Sequence, residues 1–183
     1  MRIIAGELKG RKLFTPNVNT IRPTSDKVKE SIFSMIAEYL EDAIVIDLFS
    51  GTGNLGLEAI SRGASRCYFG DKSKESLDLT LKNIAHCKVQ DRSILFHGDF
   101  EKVLARIQEK ADIIFLDPPY RDGLLDKCSN QIHEMSILKE DGIIVAEHGA
   151  DEQLPEIVYG FRKIKERRYG TIAISIYAVN LEE

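Results

Sequence analysis

A mostly parallel α/β sheet with helices on both faces is the fold class this sequence predicts, and three observations predict it. Strand-like and helix-like segments alternate from residue 43 to residue 148. Acids stand at the ends of successive strand segments, the first followed by a glycine-rich turn. The chain then closes on two strand-like segments with no helix between them. Repeated β-α units give parallel strands, because the crossovers are right-handed and their helices must cover the sheet. Strands joined without a helix pair antiparallel at one side.

The elements follow in order. "RIIAGELKGRKLFTP" reads as a short hairpin with Gly6 and Gly10 at its turns, and Thr24 or Ser25 can cap a helix whose apolar positions are Val28, Ile32, Ile36 and Tyr39. "AIVIDLF" (43–49) is a β-branched strand, "NLGLEAISRG" a small helix ending at Gly63, and "SRCYFGD" (65–71) a second strand. Ser73 can cap a helix bearing Leu77, Leu81 and Ile84, followed by "RSILFHGD" as a third strand. "FEKVLARIQEK" is helical, "ADIIFLD" the fourth strand, 123–138 a helix and "GIIVAEH" (142–148) the fifth strand. "EIVYGFRKIKERRYG" and "TIAISIYAV" form the terminal hairpin, turning at Tyr169 and Gly170. Five parallel strands plus a hairpin differ from a six-strand dinucleotide-binding sheet.

Composition narrows the function classes. The chain has 183 residues, 43% hydrophobic and 30% charged, enough for one sizeable core. No apolar run approaches a membrane span of about 20 residues, and "MRIIAGELKG" lacks a secretory apolar block, so a soluble, cytoplasmic protein is expected. Cys67, Cys87 and Cys128 form no C-x-x-C pair, and His86, His97, His133 and His148 show no ligand spacing. No metal is inferred. Net charge is −4, yet up to Lys29 the bases Arg2, Lys9, Arg11, Lys12, Arg22, Lys27 and Lys29 face only Glu7 and Asp26. A basic hairpin extension (1–23) on an acidic body (24–183) suits nucleic-acid phosphates as well as it suits plain solvation.

Four constellations carry chemistry. In "DLFSGTGNLG", Asp47 precedes Ser50, Gly51, Thr52 and Gly53, and Gly51, Gly53 and Gly56 make G-x-G-x-x-G, whose glycines let backbone approach a ligand. The spacing alone also fits a pyrophosphate of NAD. Asp71 ends the second strand, where a carboxylate can accept both ribose hydroxyls of NAD or S-adenosylmethionine (SAM). Asp99, after Gly98, can meet an adenine amine or cap the next helix. Lastly, "DPPY" stops a strand at Asp117, with Pro118 and Pro119 fixing Tyr120 beside it. The stretch offers no second acid for a catalytic dyad. It suits methyl transfer to an exocyclic amine, with Asp117 and the Pro118 carbonyl accepting the amine hydrogens and Tyr120 stacking on the base. A carboxylate, acceptor-only, matches the two adjacent donors of guanine's pairing edge.

With these residues, "MRIIAGELKGRKL", "IRPTSDKVKESIF", "DLFSGTGNLGLEAISRGA", "DPPY" and "RRYGTIAISIY", the chain resembles the RsmD-type methyltransferases over nearly its whole length. The resemblance implies a Rossmann-like, seven-stranded SAM-dependent fold. It implies methyl transfer to the N2 amine of a guanine in bacterial 16S rRNA, guanine-966 in that family, within an assembling small subunit. A monomer is expected. Carried onto this chain, the resemblance places Asp47, Ser50, Gly51, Thr52, Gly53, Asp71, Lys72, Gly98, Asp99, Phe100 and Asp117 at the cofactor. It places Asp117, Pro118, Pro119 and Tyr120 at the target base. Arg22, Pro23 and Thr24 would sit near that site, and Arg2, Lys9, Arg11, Lys12, Arg22 and Thr24 would bind RNA. One departure is Asp71, where the family usually has glutamate, giving a shorter reach to the ribose. The competing readings are an adenine-N6 methyltransferase of DNA or RNA, an NAD-dependent oxidoreductase, and a non-catalytic RNA-binding module.

Overall fold

The computed structural model describes residues 1–16, 25–118 and 123–182. Among them run α1 (Asp26–Met35), β1 (Ile44–Asp47), α2 (Asn54–Ser61), β2 (Arg66–Asp71), α3 (Lys74–Cys87), β3 (Ser93–His97) and α4 (Phe100–Arg106). The chain continues through β4 (Ala111–Leu116), α5 (Leu124–Met135), β5 (Leu138–Gly149), β6 (Ile157–Val158), β7 (Phe161–Tyr169) and β8 (Ile172–Val179).

The strands form one sheet in the order β3-β2-β1-β4-β5-β8-β7-β6. The first five are parallel to one another, and β8, β7 and β6 are antiparallel. Among the described residues the strand count is eight where seven were expected. The predicted strand from Glu156 breaks at Tyr159, which takes a left-handed φ of 51° before Gly160 and folds Ile157–Val158 back onto β7. Helix α4 also stops early: Ile107 turns extended and buries its side chain, so the predicted run to Lys110 ends at Arg106.

Each face of the sheet has its own core. One contains Val45, Phe69, Phe115, Val145 and Ile174 and is covered by α1, α2, α3 and the N-terminal hairpin; the other contains Ile46, Leu116 and Ile144 and is covered by α4 and α5. Side chains alternate between the faces along each strand, so a residue's face follows from its position. Ser25 is the cap of α1, accepting from the Val28 N–H, and Ser73 caps α3 by accepting from Ser76. The buried stripe of α3 corrects the expected one: Leu81 is 53% exposed, while Thr80 and Asn83 are fully buried beside Leu77 and Ile84. Residues 77, 80, 84 and 87 recur at helical spacing, and the polar Thr80 was masked in a hydrophobicity pattern.

The hairpin expected at residues 2–16 forms, with Arg2 bridging Lys12 and both Gly6 and Gly10 at positive φ. It is bound into the main core: Ile3, Leu8 and Leu13 are buried there. The expected boundary at residue 23 lies outside the described residues. The Gly6 position is closed to any side chain, since a Cβ would lie 1.9 Å from the Ser61 carbonyl oxygen. No helix among the described residues is long and apolar enough to cross a membrane.

Candidate active site

The strand order reverses between β1 and β4, and the carboxyl ends of such neighbouring strands open the crevice where α/β sheets bind ligands. The glycine loop leaves β1 at this edge. Gly51 and Gly53 have φ of 55° and 83°, which glycine adopts without a Cβ penalty. A Cβ on Gly51 would meet nothing within 4 Å, so the loop's apex is open. Gly56 is the opposite case. Its Cβ would sit 2.3 Å from Phe69, so this glycine exists for close helix-to-strand packing.

The loop is held from below. The Asp47 carboxylate is 2% exposed and accepts the Gly56 N–H at 3.1 Å, gripping the start of α2. Burial, opposed by that bond and reinforced by Asp71, pushes Asp47 up to about 7. From α3, Thr80 donates to the Gly51 carbonyl at 2.8 Å, and its hydroxyl lies 3.3 Å from Ser50 Oγ. Asn83 donates to the Thr52 carbonyl at 2.8 Å. Neither Thr80 nor Asn83 was expected; polar residues spaced three apart within an otherwise apolar stripe were the available signal. Asp71, half-buried at the end of β2, accepts Gly51 N–H through one oxygen (3.0 Å) and Ser73 N–H through the other (2.9 Å). Each oxygen keeps a lone pair for a further donor.

Asp99 takes the second of its two predicted roles: exposed, it caps α4 by accepting the Lys102 N–H at 2.9 Å. Gly98 beside it donates to the Asp71 carbonyl, Lys72 is exposed, and Phe100 is half-buried against the second core. Asp117 and Pro118 follow β4 at the same edge, half-buried. The remaining "DPPY" residues, Pro119 and Tyr120, lie outside the described residues, as do Arg22, Pro23 and Thr24.

Asp117 is not alone. Leu116 pairs with Ala146 in the β4–β5 register, so the next residue on each strand sets Asp117 beside Glu147, and their side chains hydrogen-bond. Two carboxyls can share a hydrogen bond only if one holds a proton. Burial first, then Glu147 and then Asp47 raise Asp117 well above the usual carboxylate range, which favours a proton shared within the pair. The second acid that the "DPPY" stretch lacks comes from the neighbouring strand, where "VAEH" gave no sign of it. Among the described residues no group of three or more metal-ligating side chains occurs.

Comparison with known proteins fixes the family. The family model described as "Conserved hypothetical protein 95", the RsmD family, matches residues 1–178. This chain belongs to that family. It is 38% identical over 180 residues to "Putative rRNA methyltransferase YlbH" of Bacillus subtilis, covering 97% of this chain and 98% of the relative. It is 32% identical over 177 residues to "Ribosomal RNA small subunit methyltransferase D" of Escherichia coli, covering 97% and 89%. The solved structure of "Putative methyltransferase yhhF from Escherichia coli" superposes with a TM-score of 0.88 at 31% identity, covering 100% of this chain and 99% of that one. The RsmD-family chain is thus a methyltransferase with a Rossmann-like methyltransferase fold, and the oxidoreductase and non-catalytic readings fall.

Proposed function

We propose that this RsmD-family protein transfers a methyl group from SAM to the exocyclic N2 amine of a guanine in small-subunit (16S) rRNA, presented within an assembling subunit. One observation carries the reading: at the switch point, an open glycine loop after β1 and a carboxyl after β4 stand at the same edge of neighbouring strands. The printed names of its relatives support the RNA substrate.

The residues present fit SAM. Gly51 and Gly53 leave room at the loop, Asp71 has lone pairs for two ribose hydroxyls, and Gly98, Asp99 and Phe100 flank the far side. Asp47 serves from beneath, by holding the loop, because so little of it is exposed. When bound, SAM supplies a methyl group on a sulfonium, a leaving group that departs neutral.

The chain's own part is positioning and charge. Asp117 and the Pro118 carbonyl orient the amine, whose nitrogen gains positive charge as it is alkylated, and nearby acids stabilise that charge. With a proton shared between Asp117 and Glu147, the oxygen lone pairs left to the mouth are acceptors, matching the N1–H and N2 amine donors of guanine. An adenine edge offers one donor and one acceptor, and is matched less well. A stacked base has to leave its helix to reach the site, which favours an exposed nucleotide.

Labelled SAM and undermodified small-subunit particles or their naked RNA provide the test. Label is expected on guanine N2; label confined to adenine defeats the guanine reading. Asp117→Ala is expected to slow single-turnover transfer by about 10² or more, the scale of one lost transition-state hydrogen-bonding group, with affinity for SAM's demethylated product retained. Transfer near the parent rate would reduce Asp117 to a strand terminator.

A further inference from the structure

The mouth of the site is acidic. Asp117 and Glu147 stand there with Asp47 buried beneath them, a pair that stays negative even when it shares one proton, and an RNA backbone has to approach it. Like charges repel, so cations at the rim are required to hold phosphates nearby. The N-terminal hairpin supplies few at this edge. It runs down α2 from Met1, beside Thr52, to Leu8, whose N–H donates to Ser61 at the helix's far end. Lys9 follows that point, and Arg11 donates to the His86 carbonyl in the last turn of α3. Lys29 is fully buried.

The opposite flank is better placed. Tyr169 pairs with Ile172 and Ile172 with Gly149, so the β7–β8 turn lies at the edge where β5 ends. Arg167 pairs with Ile174, which pairs with Glu147. Directly opposed residues share a face, so Arg167 stands on the same face as Glu147 two strand spacings away, roughly 10 Å. Lys165, opposite Ile176, shares that face. Both are exposed and make no ion pair among the described residues. Their strand neighbours are engaged: Arg162 with Glu182, and Lys163 and Arg168 with Glu166. Tyr169, at the end of the strand, hydrogen-bonds Ser31 and ties this rim to α1.

We propose that Lys165 and Arg167 form a phosphate-binding rim that holds the RNA strand flanking the target base. The rim rests on the rRNA reading above and adds the contacts that bring a polyanion to an acidic mouth. The double variant Lys165→Ala/Arg167→Ala is compared with the parent for binding of a small-subunit RNA fragment across a salt series. Affinity is expected to fall on the order of tenfold at about 0.1 M salt, and the log-log salt slope to shrink by roughly 1.5, two contacts' worth. Transfer at saturating RNA, affinity for SAM's demethylated product and Tm are expected to match the parent, since both side chains are exposed. Lys110→Ala, an exposed base immediately before β4 at the opposite edge, is expected to change none of these. A parent-like salt slope and affinity in the double variant overturn the rim while leaving the methyltransferase reading intact. A parent that methylates no RNA overturns the rRNA reading instead, and the rim with it.

Discussion

Glu147 changes what Asp117 is. Alone at a strand's end, an aspartate would be an ordinary carboxylate; burial first, then Glu147 beside it, push its pKa well above that range. The consequence for stability has a definite sign. A carboxyl whose folded pKa lies above its unfolded value binds more protons in the native state, so its contribution is present at low pH and is lost as pH rises from about 3.9 through the folded pKa. Glu147→Gln removes the charge beside Asp117, leaving burial, Asp47 and a neutral hydrogen-bond partner. The variant should therefore lose less stability than the parent between about pH 5 and 8, measured by urea unfolding at both, and its protonated-carboxyl infrared band at neutral pH should be weaker than the parent's. Equal pH dependence and an unchanged band would remove Glu147 from the site. Asp47 titrates in the same direction, up to about 7, and is common to both proteins.

At the scale of elements, a buried ion pair joins the hairpin, α1 and α2. Lys29 Nζ bonds the Arg2 carbonyl at 2.5 Å, Asn54 Oδ1 at 2.7 Å and Glu58 at 2.9 Å. Glu58 also accepts the N–H groups of Ile4 and Ala5 and the Arg62 guanidinium. Burial pushes Lys29 down against the pull of Glu58; burial pushes Glu58 up, but Lys29, the Ile4 N–H and Arg62 outweigh it and hold it low. Lysine 29 thus leaves the basic surface that composition alone assigned to it. Removing one member of a buried pair strands the other charge, at a cost of about 3–5 kcal/mol. Lys29→Met should lose that much in denaturant unfolding and raise amide exchange in residues 1–14. A loss under about 1 kcal/mol would show that the network is not holding the hairpin.

For the whole molecule, the hairpin's direction sets which of its bases can meet RNA at the site. Arg2 and Lys12 bridge each other near the glycine-loop end, while Lys9 and Arg11 sit toward the far ends of α2 and α3. Phosphate contacts are ionic and local, so each contributes to the salt slope only where the RNA lies. Lys12→Ala should lower that slope more than Lys9→Ala, with affinity for SAM's demethylated product unchanged in both. Equal slopes would mean that RNA covers the hairpin's full length.

Local residue chemistry determined a good deal of this protein. The alternation of β-branched runs with capped helices gives a mostly parallel sheet, because period and capping are local. Ser73 and Ser25 cap as their spacing requires, and the glycine loop and Asp117 fall on one edge because parallel strands share a direction. Only the tertiary structure decided which residues meet across strands and helices. Glu147 reaches Asp117 through β4–β5 register, Thr80 and Asn83 brace the loop from α3, and Lys29 turns inward to Glu58. These contacts join residues from about 29 to 31 positions apart, and their partners are set by strand order and helix rotation. Neither is encoded in a local pattern: an acid in "VAEH" or a lysine in "DKVKES" reads as surface until the sheet and the core close around it.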